Sequence, residues 1–118
     1  MQIVITGKNI ELTDAIKAYV EKKISALDKF FEGIIRADVT VGLESHHHLK
    51  GDVFVAECKL AIPGNDVFAS KKEKTLYKAI DKIRDYLEIE LKKHKIKLHK
   101  DDKKRNREQR ASKEYQAD

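Results

Sequence analysis

One cysteine, one proline, one methionine and no tryptophan occur in the 118 residues. The lone cysteine, Cys58, excludes an internal disulfide, and with it the disulfide-stapled secreted domains; it suits a reducing compartment. No basic segment followed by an apolar run opens the chain, so a secretory signal is not expected. No apolar stretch approaches the ~20 residues needed to span a bilayer. A soluble, cytoplasmic protein is the expectation. Also missing are a Gly-rich phosphate loop ahead of a helix and a nucleophile elbow. With no constellation of catalytic groups visible, neither an enzyme, nor a cofactor, nor a small-molecule substrate is expected.

What the chain has in abundance is charge. Hydrophobic residues make up 41% and charged residues 38%, enough for a single core but with a surface far more charged than the usual quarter. The charge is uneven. Residues 1–70 hold 8 Lys/Arg against 10 Asp/Glu, a net −2, whereas residues 71–118 hold 17 against 10, a net +7. A basic half on a near-neutral body points to a polyanion, either nucleic acid or an anionic membrane, with a solvated helix face as the plainer reading.

The hydrophobic pattern gives the order of elements. Residues 2–6 are β-branched and end at Gly7, a strand. Thr13 can cap a helix whose apolar positions are Ile16, Tyr19, Val20, Ile24, Leu27, Phe30 and Phe31, stopped by Gly33. Residues 35–44 alternate, with Ile35, Ala37, Val39, Val41 and Leu43 on one face; residues 53–62 do the same with Phe54, Ala56, Cys58, Leu60 and Ile62. By this alternation Cys58 is core, not a nucleophile. Ile62-Pro63-Gly64-Asn65 fits a type II turn leading to a short strand, Val67 to Ser70. Thr75 caps a second helix with the stripe Leu76, Ile80, Ile83, Leu87, Leu91 and Leu98. The expected fold is α+β, ordered β-α-β-β-β-α, a four-stranded mixed sheet with two helices packed on one face. One α+β domain is expected over 1–98. No periodicity survives beyond Lys100, so 99–118 is expected to be a charged tail, disordered in isolation.

The basic segment is the strongest functional signal. Lys71, Lys74, Lys78 and Lys82 stand three or four apart, which on a helix makes one exposed ridge; Lys72, Arg84 and Lys92 add to it. Lysine outnumbers arginine, which favours backbone-driven binding over base readout. His46-His47-His48 is read as a loop between strands and not as a metal site, because consecutive residues rarely face one ion. Tyr86, Ile89 and Ile96 lie outside the main stripe and are read as a widening of the core, the alternative being a patch for a partner.

Gln2-Ile3 through Thr6-Gly7, Asn9-Ile10-Glu11-Leu12-Thr13, Leu27-Asp28-Lys29-Phe30-Phe31, Val67-Phe68-Ala69-Ser70, Leu76-Tyr77-Lys78-Ala79-Ile80-Asp81 and Leu91-Lys92-Lys93-His94-Lys95, in this order and spacing, resemble the ribosome hibernation promoting factors and ribosome-associated inhibitors over residues 1–98. The resemblance implies the fold read above. It also implies a factor that sits in the mRNA and tRNA channel of the small subunit near the decoding region, blocking translation and preserving idle ribosomes. Its partners would be the small subunit and its rRNA, with a ribosome-dimerising helper protein as a further candidate, and no membrane. By match of position it implies rRNA contacts at Lys17, Lys23, Lys93, Lys95 and Lys97. The chain departs from the family where Tyr86 and Ile89 replace the usual basic residues. Too few residues follow the second helix for another domain, so a short form, or a long form lacking its second domain, is expected. Beyond Lys100 the tail holds six Lys/Arg against five acids, unlike the acidic tail of one short subtype, and is expected to add electrostatic hold on rRNA. Two other readings stay open: a general double-stranded RNA-binding domain, and a protein-interaction module that modulates a transcription factor.

Overall fold

Alternation and helical periodicity become a four-stranded sheet with both helices on one side. The computed structural model describes residues 1–47 and 51–116, and side chains within 1–44 and 51–96. In chain order the elements are β1 (Gln2–Lys8), α1 (Asp14–Ser25) with a 3-10 turn (Ala26–Lys29), β2 (Arg36–His47), β3 (Gly51–Ile62), β4 (Asn65–Glu73) and α2 (Leu76–Gln116). The sheet order is β1-β2-β3-β4. β1 and β2 are parallel, and the two later pairs are antiparallel. The β-α-β-β-β-α order and the mixed sheet are therefore as the sequence pattern leads one to expect.

Cross-strand rows alternate between the two faces. Ala37, Leu60 and Val67 form one row and Val39, Cys58 and Ala69 the next. All six are buried, in one cluster with Val20, Ile24 and Leu27 from α1 and its turn and with Ile80, Ile83, Leu87 and Leu91 from α2. Cys58 is fully buried, and the loss of hydration pushes its thiol up to about 12, with Asp38 adding to the shift. Both helix starts carry the expected caps: the Ile16 amide donates to Thr13 Oγ1 and the Lys78 amide to Thr75 Oγ1, each at 3.2 Å.

Four local expectations need correction. Ile35 does not face the core; it is 61% exposed and Ile34 is buried instead. Ile35 precedes β2 and is tied down by its backbone alone, its amide donating to the Ala61 carbonyl and its carbonyl accepting from Gln2. His46 and His47 belong to β2, paired with Asp52 and Gly51 across a register shift at Leu43/Ser45, so the hairpin is longer than read; His48 lies outside the described residues. α1 ends at Ser25, and the apolar period runs on to Leu27 because the chain tightens into the 3-10 turn. Finally, α2 does not stop near Lys100 but continues to Gln116. Nothing breaks it: residues 65–118 contain no glycine or proline, and Lys, Arg, Glu and Gln propagate a helix without an apolar stripe.

Candidate nucleic-acid interface

Two i,i+4 pairs meet where α1 crosses α2. Tyr19 and Lys23 stand one turn apart on α1, as do Tyr77 and Asp81 on α2. The two tyrosine rings meet edge to face, centroids 4.8 Å apart. Tyr19 donates its hydroxyl proton to Asp81 Oδ1 at 2.5 Å. Lys23 Nζ lies 3.5 Å from the same oxygen and 5.5 Å over the Tyr19 ring. Accepting charge at Asp81, with burial second, pushes the Tyr19 phenol up to about 12. A raised folded-state pKa favours the native protein below the ordinary phenol range, and that contribution is lost as pH rises through the folded value. In Asp81→Ala the Tyr19 titration should fall back toward 10.0, followed by NMR of the tyrosine rings; a titration that stays near the wild-type value would show that Asp81 is not the cause.

Beside this junction the positive charge thickens. The Phe30 ring is approached by Lys92 Nζ at 5.0 Å, Arg84 Cζ at 5.6 Å and Lys29 Nζ at 5.9 Å. Arg84 and Lys92 both reach Glu88, at 3.5 and 3.7 Å, so one carboxylate holds two cations one turn to each side. Between the helices lies a groove of about 360 Å³ lined by Lys22, Lys23, Ala26, Asp81, Arg84 and Asp85. Lys17 and Lys95 are exposed, and among the described residues neither has a carboxylate within 4.0 Å. Exposed cations without close partners are those best placed to exchange counterions for phosphates.

The expected ridge of Lys71, Lys74, Lys78 and Lys82 is not one ridge. Helical spacing does not apply to the first two, because Lys71 and Lys72 belong to β4 and Lys74 to the turn before α2. Strand alternation sends neighbours to opposite faces. Lys71 is level with Val41 and Ala56 on the helix side, where its Nζ lies 5.1 Å over the Tyr86 ring. Lys72 is level with Gly42 and Val55 on the open side, and its Nζ is 3.4 Å from Glu44, which Lys8 also reaches at 3.7 Å. Lys82 bonds Glu73 and, as the main cause, holds that carboxyl below its ordinary range. Lys93 pairs with Glu90 at 3.3 Å on the β4 flank of α2. The Lys97 side chain lies outside the described residues. The cations read from the sequence thus do not share one surface, and Lys72 lies on the side of the sheet without helices. Lys23, Arg84 and Lys92 gather at the seam with α1, and Lys71 and Lys82 face β4.

The reading from sequence missed Lys22, Lys29 and Phe30 at the seam. Phe30 carried a signal, being an aromatic beside Lys29, but its closeness to Arg84 and Lys92 comes from packing over more than fifty residues of chain. The core reading of Tyr86, Ile89 and Ile96 also fails, since they are 38%, 52% and 57% exposed. No helix among the described residues is long and apolar enough to cross a membrane.

Comparison with known proteins bears on the fold and on the family. A family model described as sigma 54 modulation protein / S30EA ribosomal protein matches residues 3–99. The ribosome hibernation promoting factor of Salmonella typhimurium is 34% identical over 98 residues, 83% of this chain and 97% of its own. That of Azotobacter vinelandii is 37% identical over 97 residues, 82% of this chain and 85% of its own. Among solved structures, the N-terminal domain of Thermus thermophilus Protein Y superposes with a TM-score of 0.69 at 36% identity, covering 80% of this chain and 99% of that domain. A ribosomal subunit interface protein from Coxiella burnetii gives the same TM-score, 0.69, at 20% identity, over 81% of this chain and 99% of that one, which shows the shared fold. The extent of the family match and the identity to curated relatives lead to one conclusion: the chain belongs to the sigma 54 modulation protein / S30EA ribosomal protein family.

Proposed function

We propose that this chain is a ribosome hibernation factor that binds the small subunit in the mRNA and tRNA channel near the decoding region, through the seam between α1 and α2. The observation that carries the seam is its charge: Lys22, Lys23 and Lys29 from α1 and its turn stand beside Arg84 and Lys92 of α2, and Lys17 of α1 and Lys95 of α2 are exposed as well. Such a cluster addresses rRNA phosphates, and two helices set side by side read the shape of a groove more than its sequence. Binding alone accounts for inhibition, because a protein seated in that channel excludes mRNA and tRNA. The relatives named ribosome hibernation promoting factor, matched over more than four-fifths of this chain, support the role.

Co-sedimentation through a sucrose gradient at low and moderate salt tests the proposal. The wild type should travel with small subunits or whole ribosomes. Lys92→Glu combined with Lys95→Glu should weaken binding by about tenfold or more and flatten the salt dependence by roughly two phosphate equivalents. A wild type that stays at the top of the gradient at both salts would overturn the reading. Equal competition by bulk double-stranded RNA would replace it with a general RNA binder.

A further inference from the structure

The turn after α1 leads into two aromatic residues with different fates. Phe31 is buried in the core, whereas Phe30 is half-buried and packs against the edge of it. The Phe30 amide donates to the Leu27 carbonyl at 3.0 Å, and Leu27 is fully buried, so the backbone under the Phe30 ring is anchored. Three cations come over that ring. Lys29 comes from the turn itself, and Arg84 and Lys92 from α2, at 5.0–5.9 Å from the centroid.

Such a cluster does not assemble unaided. Like charges repel, and long Lys and Arg side chains lose rotamer freedom when held. Acids on α2 offset part of this. Glu88 reaches Arg84 at 3.5 Å and Lys92 at 3.7 Å, and Asp85 reaches Arg84 at 3.1 Å. Lys29 has no carboxylate within 4.0 Å among the described residues; what it shares with the other two cations is the ring. The negative face of an aromatic ring attracts a cation without neutralising it. A carboxylate in that place would cancel charge that a phosphate could use. An aliphatic side chain would fill the space and attract no cation. The ring holds cations from two separate elements and leaves their charge available.

We propose that Phe30 is the positioning residue of the seam: its ring gathers Lys29, Arg84 and Lys92 into one cationic cluster whose spacing is set before a phosphate arrives. This role rests on the ribosome-binding reading, since a spaced cluster matters only where phosphates meet it.

Affinity for small ribosomal subunits, measured by co-sedimentation at several salt concentrations, is the test. Phe30→Leu should lower the affinity by about fivefold. The slope of log affinity against log salt should not change, because every charge is still present. Phe30→Tyr keeps the ring and should bind as the wild type does. Phe30→Met, also without a ring, repeats the first arm if the Leu variant melts early by circular dichroism. A double-mutant cycle then separates positioning from direct contact. With Arg84→Ala and Lys92→Ala already in place, Phe30→Leu should cost under about twofold, because little is left to position. A full fivefold loss in that background would give the ring to base stacking and overturn the proposal. So would wild-type affinity in both ring-free variants, or a loss in Phe30→Tyr equal to that in Phe30→Leu. A wild type that does not bind subunits at all would overturn the ribosome reading together with the role of Phe30, whereas the other adverse outcomes overturn the role alone.

Discussion

Leu87→Ala should lower stability by about 3 kcal/mol and the melting temperature by roughly 10–20 °C. Leu87 is fully buried and sits in the middle of the α2 stripe, between Ile83 and Leu91, which are also fully buried. Removing its isobutyl group forfeits the transfer term and leaves a cavity between the helix and the sheet. The sheet rows of the same core, such as Val39, Cys58 and Ala69, are set by ladder pairing and cannot close inward. Ile89→Ala, on the same helix but half exposed, should cost under about 1 kcal/mol. Urea unfolding monitored by circular dichroism gives both numbers. A Leu87→Ala loss no larger than that of Ile89→Ala would mean that α2 is not anchored through this stripe. The result bears on the interface, because the same three turns that carry Ile83, Leu87 and Leu91 inward carry Arg84 and Lys92 toward Phe30.

Gly42→Ala is expected to cost about as much by the opposite route, roughly 3 kcal/mol of overpacking. A Cβ at residue 42 would lie 2.1 Å from the Lys8 carbonyl oxygen and 2.7 Å from Lys8 Cβ. Lys8 is the residue paired with Gly42 at the end of β1, so the obstruction is backbone and cannot swing aside. Relief requires the end of β1 to lift from β2. That would also disturb the row in which Val55 is 1% exposed on the side of the sheet without helices, and in which Lys8 and Lys72 share Glu44. Gly64 gives the contrast. Its φ is +81° and nothing lies within 4 Å of its added Cβ, so Gly64→Ala meets conformational strain alone and should cost about 1 kcal/mol. The order of the two losses in urea unfolding decides the matter: a Gly42→Ala protein as stable as Gly64→Ala would show that β1 yields freely at its end.

The parts of this protein that were legible in its sequence are those governed by short-range periodicity. Alternation over 37–41 and 56–62 put the right side chains into the core, and Thr13 and Thr75 cap the helices as their positions suggest. Periodicity misled where one period was carried across a boundary. Lys71, Lys74, Lys78 and Lys82 have helical spacing, but the strand ends at Glu73, and alternation within it separates Lys71 from Lys72. Ile89 and Ile96 looked like a widened stripe because hydrophobicity alone does not say whether a neighbouring element arrives to cover it. The seam was the least legible part. Tyr19 with Asp81, and Phe30 with Arg84 and Lys92, meet only after the three strands that separate the helices in sequence have brought them side by side on one face of the sheet. The polyanion preference came from a charge sum, which is independent of fold; the place where the charge concentrates came from packing.

The order β1-β2-β3-β4 leaves β1 and β4 each with one neighbour, so the sheet has two open edges. An open edge is a template for a stray strand, and β4 also shows Phe68, 59% exposed. What discourages a foreign strand there is charge: Lys71 and Lys72 within β4 and Lys74 just past its end. These lysines therefore serve solubility whether or not a polyanion ever meets them. Neutralising them, by acetylation or by exchange to alanine, removes a gatekeeper together with any affinity for phosphate, and the two losses would be indistinguishable in a cell extract. Reversal to glutamate separates them, because an acidic edge repels RNA while still refusing another strand.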